Sequence, residues 1–399
     1  MKPLSALAGG EGNLALYVHW PFCVSKCPYC DFNSHVRASI DQDSWHEALL
    51  TDLAHEAGLL PGRKLTSIFF GGGTPSLMNP ASVEGVISAA RSHWQPAENL
   101  EITLEANPNS VEAVRFADLA IAGVNRLSLG LQSFDDHALA FLGRAHSARD
   151  GFRALEIAQK NFRRVSFDLI YALPGDREES WSATLAQALS LGTSHLSLYQ
   201  LTIEPGTRFA SMVARRQFEP LHCDASAALY ELTEAMTSAA RMPAYEISNH
   251  ARRGQESRHN LSYWRYGDYA GIGPGAHGRR LGMGTARHKK PENFLAAVGR
   301  NGHGIAEEAP LSAIEGADEA LVMGLRLTEG IDTEAIANRF GLVEIVDWRR
   351  VERLAASGHL ERQGPRIALT ASGRLLLDHI LGEIAAPVAL GSPRALAVG

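Results

Sequence analysis

Cysteine is scarce in this sequence, with four in 399 residues. So few cannot form a disulfide framework. No run of about 18 apolar residues occurs, which leaves no candidate membrane-spanning helix. The opening "MKPLSALAGGEGN" has one lysine and no sizeable apolar core, so it does not read as a secretory signal. A cytoplasmic location is the expectation, and a reducing cytosol would keep the cysteines as thiols. A basic surplus is missing as well: 38 Lys and Arg stand against 44 Asp and Glu, a net charge of −6. That balance gives no general attraction to nucleic acid or anionic membranes. Nor is there a P-loop, because no Lys-Ser/Thr pair follows the glycines of "FFGGGTPS".

What is present is an alternation of short apolar runs with amphipathic stretches. Strands are expected at 14–20, 66–70, 100–108, 126–134, 164–175 and 195–207, with helical patterns between them. Six β–α units in a row imply a parallel sheet covered by helices, curling toward a partial (β/α)6 barrel in an α/β fold. Functional groups in such folds lie at the C-terminal ends of the strands. Residues 14–210 form this core, after a flexible N-terminus over 1–13. An extension covers 211–290. Residues 291–385 read as a small helical domain of winged-helix type, and 386–399 as a disordered tail. No basic recognition stripe marks that domain for nucleic acid, so it reads as a lid or docking surface.

Three of the four cysteines fall within "HWPFCVSKCPYCDF", at Cys23, Cys27 and Cys30. Thiolates spaced C-x3-C-x2-C can converge on one metal centre. Zinc ordinarily takes four protein ligands, and His35 is available to complete a Cys3His site. A [4Fe–4S] cluster is the other reading: three cysteines hold three irons and the fourth iron stays open. Cys223, alone in "PLHCDAS", reads as a small residue packed in or near a helix. The glycines after the second strand let backbone approach a ligand closely. Glu105 and Asp168 stand at strand ends, where carboxylates suit ribose hydroxyls and an ammonium.

The motif "CVSKCPYC" resembles the signature of the radical S-adenosylmethionine (SAM) enzymes. With "FFGGGTPS", "LEANP", "RLSLGLQSF" and "DLIYALPG", the chain is similar to the oxygen-independent coproporphyrinogen III oxidase family over roughly residues 14–280. The resemblance implies a [4Fe–4S] cluster on Cys23, Cys27 and Cys30, with SAM chelating the open iron. It also implies SAM contacts from Tyr17, Tyr29, Gly72, Gly73, Thr74, Glu105, Gln132, Arg144 and Asp168. Two features depart from the oxidase. Phe32 stands where the oxidase motif has a fourth cysteine, with Asp31 in place of a glycine, and only 16 residues precede Tyr17.

The segment "HNLSYW" (259–264) resembles the haem chaperones of the HemW type within that family, which lack the oxidase activity. The resemblance implies haem as cargo, haem-acceptor proteins as partners, and an electron donor such as flavodoxin or ferredoxin. His259 offers an imidazole for iron, while Tyr263 and Trp264 offer apolar surface for a porphyrin. On a helix, His259 and Tyr263 share a face. His250, His277 and Cys223 are the alternative ligands. Decarboxylation of coproporphyrinogen III and radical chemistry on another substrate remain the competing functions.

Overall fold

The computed structural model describes residues 12–385. The expected disordered tail and all but the end of the expected flexible N-terminus fall outside the described residues.

Six strands run parallel in sequence order: β1 (Asn13–Trp20), β2 (Lys64–Gly72), β3 (Gln95–Ala106), β4 (Arg126–Gln132), β5 (Arg164–Tyr171) and β6 (His195–Gln200). Crossover helices join them, as parallel neighbours require. Alternation along each strand decides which face meets those helices. Leu16, Val18, Ile68, Phe70, Leu104, Leu127, Phe167 and Leu198 are buried in the main core. The intervening positions are polar and meet one another on the opposite face. Arg126 donates to Ser166 Oγ at 3.0 Å, Ser166 to Ser128 Oγ at 3.0 Å, and Ser128 to Asp168 at 3.4 Å. The interior of a closed eight-stranded barrel is ordinarily filled with branched apolar side chains. A polar lining instead marks a space built to hold a ligand.

The extension widens this sheet. β7 (Asn249–Ala251) pairs antiparallel with β6. β8 (Tyr269–Ile272) adds parallel to β1, and β9 (His277–Arg280), β10 (Met283–Arg287) and β11 (Ile305–Pro310) follow antiparallel. The eleven strands are ordered β11-β10-β9-β8-β1-β2-β3-β4-β5-β6-β7. The glycine-rich "YAGIGPGAHG" is therefore a strand–turn–strand unit. Gly273 and Gly275 make its turn, with φ of 92° and 84°. A buried ion network binds this added sheet to the helix Gln42–Leu59. Glu56 pairs with Arg280 and Arg287, each at 2.6 Å, and Asp52 with Arg287 at 3.3 Å.

Residues 291–310, read as part of the C-terminal domain, belong to the barrel instead. The helix Pro291–Asn301 buries Phe294 against Trp45 in the main core, and β11 joins the large sheet. A separate core begins near residue 317 and gathers Leu321, Ile336, Val351, Leu360, Ile367 and Ile380. It holds helices and a three-stranded antiparallel sheet, as a winged-helix arrangement requires.

Candidate functional site

The cysteine loop follows β1 at the C-terminal rim of the barrel, beside the glycine loop after β2. Two backbone hydrogen bonds join the loops: Gly73 N–H to Trp20 O at 2.7 Å and Thr74 N–H to Phe22 O at 2.8 Å. A Cβ on Gly73 would stand 2.8 Å from Phe22 O and 3.0 Å from Cys23 Sγ. Only glycine lets the two loops approach this closely. Gly72 has φ of 111°, and a Cβ there would meet the His19 ring at 2.6 Å.

The three thiols are held from outside their own loop. Thr74 Oγ1 donates to Cys23 Sγ at 3.5 Å, and Arg144 Nη1 to Cys27 Sγ at 3.4 Å. Burial pushes the Cys23 and Cys30 thiols up, so as free thiols they stay protonated. Their sulfurs do not all lie within 4.8 Å of one another. A single tetrahedral zinc, with Zn–S of about 2.3 Å, needs sulfurs about 3.8 Å apart. A four-iron cube bound at three corners spreads its thiolates wider, and the donor set fits that group. His35 gives no fourth ligand to the trio: its Nε2 lies 3.2 Å from Asn33 Oδ1.

The remaining residues expected at the SAM site gather around this rim. Gly72 N–H donates to Glu105 at 3.3 Å, and Asn107 to Thr74 Oγ1 at 2.9 Å. Arg144 donates to Asn107 and, at 2.9 Å, to Gly130 O, which spans the third and fourth strands. Tyr29 packs on Phe209. Gln132 ends β4 at φ of 68°, a left-handed position for a non-glycine residue, beyond an irregularity in the β4–β5 pairing. Burial pushes Glu105 up to about 8, with the Asp168 charge adding to it. Burial also pushes Asp168 up to about 6, against hydrogen bonds from Ser197 and Ser128 and the charge of Arg126. Two desolvated carboxylates at this rim suit a cationic, hydroxyl-rich ligand, whose charge and donors would favour their ionised forms. Tyr199 lies among them, its phenol raised by burial and by Asp168, yet it remains 41% exposed. The interior is therefore open to solvent at that point.

Sequence reasoning missed His19, Asn107, Arg126, Ser128 and Tyr199. The signal was available: R-x-S in β4, S-x-D in β5 and S-x-Y in β6 place polar residues at period two inside apolar strands. His19 joins Tyr17 OH at 2.9 Å through Nδ1 and Asn33 O at 3.0 Å through Nε2, and burial lowers it to about 4.

The segment 259–264, expected to bind haem, forms the helix Arg258–Trp264, which follows a turn bonded to Arg164 at the start of β5; the His259 ring lies 6.2 Å from that of Tyr17. His259 is buried there, with Nδ1 3.0 Å from Ser67 Oγ and its ring stacked on Phe69. Its backbone N–H donates to Glu101, which also pairs with Arg164 at 2.5 Å. Arg326 lies over one face of Trp264, 4.5 Å from the ring centroid, while Arg279 sits on neighbouring Tyr266 at 3.5 Å. Tyr263 and Trp264 are half-buried, and in this packing the His259 imidazole is closed off from solvent. His250 is buried as well. Cys223, expected to be packed, is exposed at the start of the helix Cys223–Ala239, beside His222 and Asp224. His277 is exposed at the rim.

Comparison with known proteins shows the family. The family described as the radical SAM superfamily matches residues 17–188, and the HemN C-terminal domain matches residues 311–376. The chain is 37% identical to the haem chaperone HemW of Escherichia coli, over 92% of this chain and 97% of that one. It is 38% identical to the bovine mitochondrial radical S-adenosyl methionine domain-containing protein 1, over 93% of this chain and 84% of that one. The solved structure of E. coli coproporphyrinogen III oxidase, described as a radical SAM enzyme, superposes with a TM-score of 0.78 over 95% of this chain and 92% of that one. At 24% identity that likeness speaks for the fold alone. Among the described residues no helix is long and apolar enough to cross a membrane.

Proposed function

Because the chain belongs to the radical SAM superfamily, in its coproporphyrinogen III oxidase-like HemW family, we propose that it is a haem chaperone. It binds haem as cargo and delivers it to haem-requiring proteins. Cys23, Cys27 and Cys30 hold a [4Fe–4S] cluster with one iron open to SAM. Tyr17, Tyr29, Gly72, Gly73, Thr74, Glu105, Gln132, Arg144 and Asp168 surround that nucleotide. The cluster supplies one-electron chemistry when bound, fed by a donor such as flavodoxin or ferredoxin. Thr74 and Arg144 orient the thiolates, and the two carboxylates orient the nucleotide.

One observation carries this reading: likeness along nearly the whole length of proteins named as haem chaperones. Phe32, where the oxidase motif has a further cysteine, supports it. The test is anaerobic reconstitution, followed on one sample by haem titration and a coproporphyrinogen III assay. Haem uptake without protoporphyrinogen formation is expected. Protoporphyrinogen formed at a catalytic rate, or no haem uptake, overturns the proposal. Cys27→Ser is expected to abolish the broad visible absorption of the cluster. Iron analysis should return about four atoms per chain, and a single zinc would defeat the assignment.

A further inference from the structure

Haem offers three recognisable features: a flat apolar plate, two propionate carboxylates, and an iron that takes an imidazole or thiolate. On the helix Arg258–Trp264 the one imidazole, His259, is buried. The outer face of the cysteine loop supplies all three.

Eleven large hydrophobic side chains are exposed among the described residues, and three lie within residues 24–36: Val24, Phe32 and Val36. The short parallel pairing of Phe22–Cys23 with His35–Val36 sets Val36 beside Cys23. Lysines stand on the same loop and on the turn tied to it. Lys26 is exposed and close enough to act on both Cys30 and His35. Lys289 and Lys290 are exposed, and the Lys289 carbonyl accepts from Asn33 Nδ2 at 2.9 Å, which ties that turn to the loop. Arg37 is already paired with Glu292, and Asp31 is the opposing charge on the loop. In a chain of net charge −6, three unpaired lysines around an apolar patch complement an apolar dianion.

An iron ligand stands at the edge of this patch. His277 opens β9 at the same rim, near enough for the Lys289 charge to act on it. Its imidazole is exposed and has no hydrogen-bond partner among the described residues. His19 is buried between Tyr17 and Asn33, and His35 is engaged by Asn33 and the Lys289 carbonyl. His277 is thus the free imidazole of this group.

We infer that haem docks on the outer face of the cysteine loop, with His277 on the iron, the exposed Phe32 and Val36 against the porphyrin, and Lys26 and Lys289 at the propionates. This rests on the haem-chaperone reading and assigns its cargo site.

The experiment uses the full chain, anaerobically reconstituted and titrated with hemin. Visible absorption reports the Soret band, and the cluster absorption of the same sample reports an intact loop. His277→Ala is expected to change the Soret position and weaken uptake by about tenfold or more, which is about 1.4 kcal/mol. Added imidazole should restore the unmodified spectrum. The double variant Lys26→Glu/Lys289→Glu should weaken uptake while leaving the Soret position unchanged. Should His277→Ala, with its cluster spectrum intact, bind hemin with unaltered affinity and spectrum, this site is wrong although the chaperone reading stands. Should the unmodified protein bind no hemin, the reading itself falls.

Discussion

Truncating Glu101 tests the claim that residues 257–264 seal the barrel floor. This carboxylate is 1% exposed. It pairs with Arg164 at 2.5 Å and accepts from Ser257 Oγ at 3.4 Å and His259 N–H at 3.2 Å. Burial alone would raise its pKa, but the charges of Arg126 and Arg164 and the backbone N–H groups of His259 and Arg258 more than offset this and hold it below the ordinary value. Glu101→Ala strands Arg126 and Arg164 without their anion. Removing one partner of a buried pair costs about 3–5 kcal/mol. A folded chain has only about 5–15 kcal/mol in hand, so the urea midpoint should fall far. The double variant Glu101→Ala/Arg164→Ala should recover part of the loss. The sign of the pH dependence follows from the lowered pKa. Glu101 contributes its full stability above the ordinary carboxylate value of about 4.3, and that contribution is lost as pH falls through the lower folded value. The gap between unmodified protein and variant should therefore narrow below about pH 4. Haem uptake per folded molecule should not change, because the floor is remote from the rim. A loss under about 1 kcal/mol at pH 7, in the range of an exposed pair, would refute the reasoning, as would selective loss of haem uptake in a fully folded variant.

Three further outcomes follow from the rim. Gly73→Ala should block cluster assembly while preserving the far-ultraviolet dichroism, because the new Cβ meets Phe22 O and Cys23 Sγ; full iron incorporation would contradict this. Glu105→Gln should raise the melting temperature of the SAM-free protein more at pH 8 than at pH 5. A carboxyl held up to about 8 favours folding while protonated and costs stability as pH rises toward that value. The same substitution should weaken SAM binding in calorimetry, and an equal melting gain at both pH values would count against it. Arg144→Met removes the cation that donates to Cys27 Sγ and should move the cluster to a more negative reduction potential, read by redox titration; an unchanged potential would show that the contact does not tune the centre.

Much of the rim was legible because its signals are local. Cys23, Cys27 and Cys30 sit in one loop, and Gly72 to Thr74 in the next. Strand ends place Glu105, Gln132 and Asp168 once the β–α order is known. The interior polar set was legible in principle, since period two is visible in "RLSLG" and "VSFDL". The extension was not. "YAGIGPG" looks like a loop because its glycines suit a turn, yet Tyr269–Ile272 finds a partner in β1, about 250 residues earlier. The helical run at 291–301 carries no mark of which core it will join, and Trp45 decides that by stacking on Phe294.

By itself the sequence determined the chemistry at the C-terminal rim: three thiolates, a glycine approach beside them, and carboxylates at strand ends, all set by spacing along single loops and strands. Only the tertiary structure decided the two ends of the barrel. It buried His259 against Ser67 and Phe69, laid Arg326 over Trp264, and left His277 exposed at the rim. The physical reason is that a side chain's chemistry is fixed by its type, whereas its availability depends on what packs against it, and those partners come from distant parts of the chain.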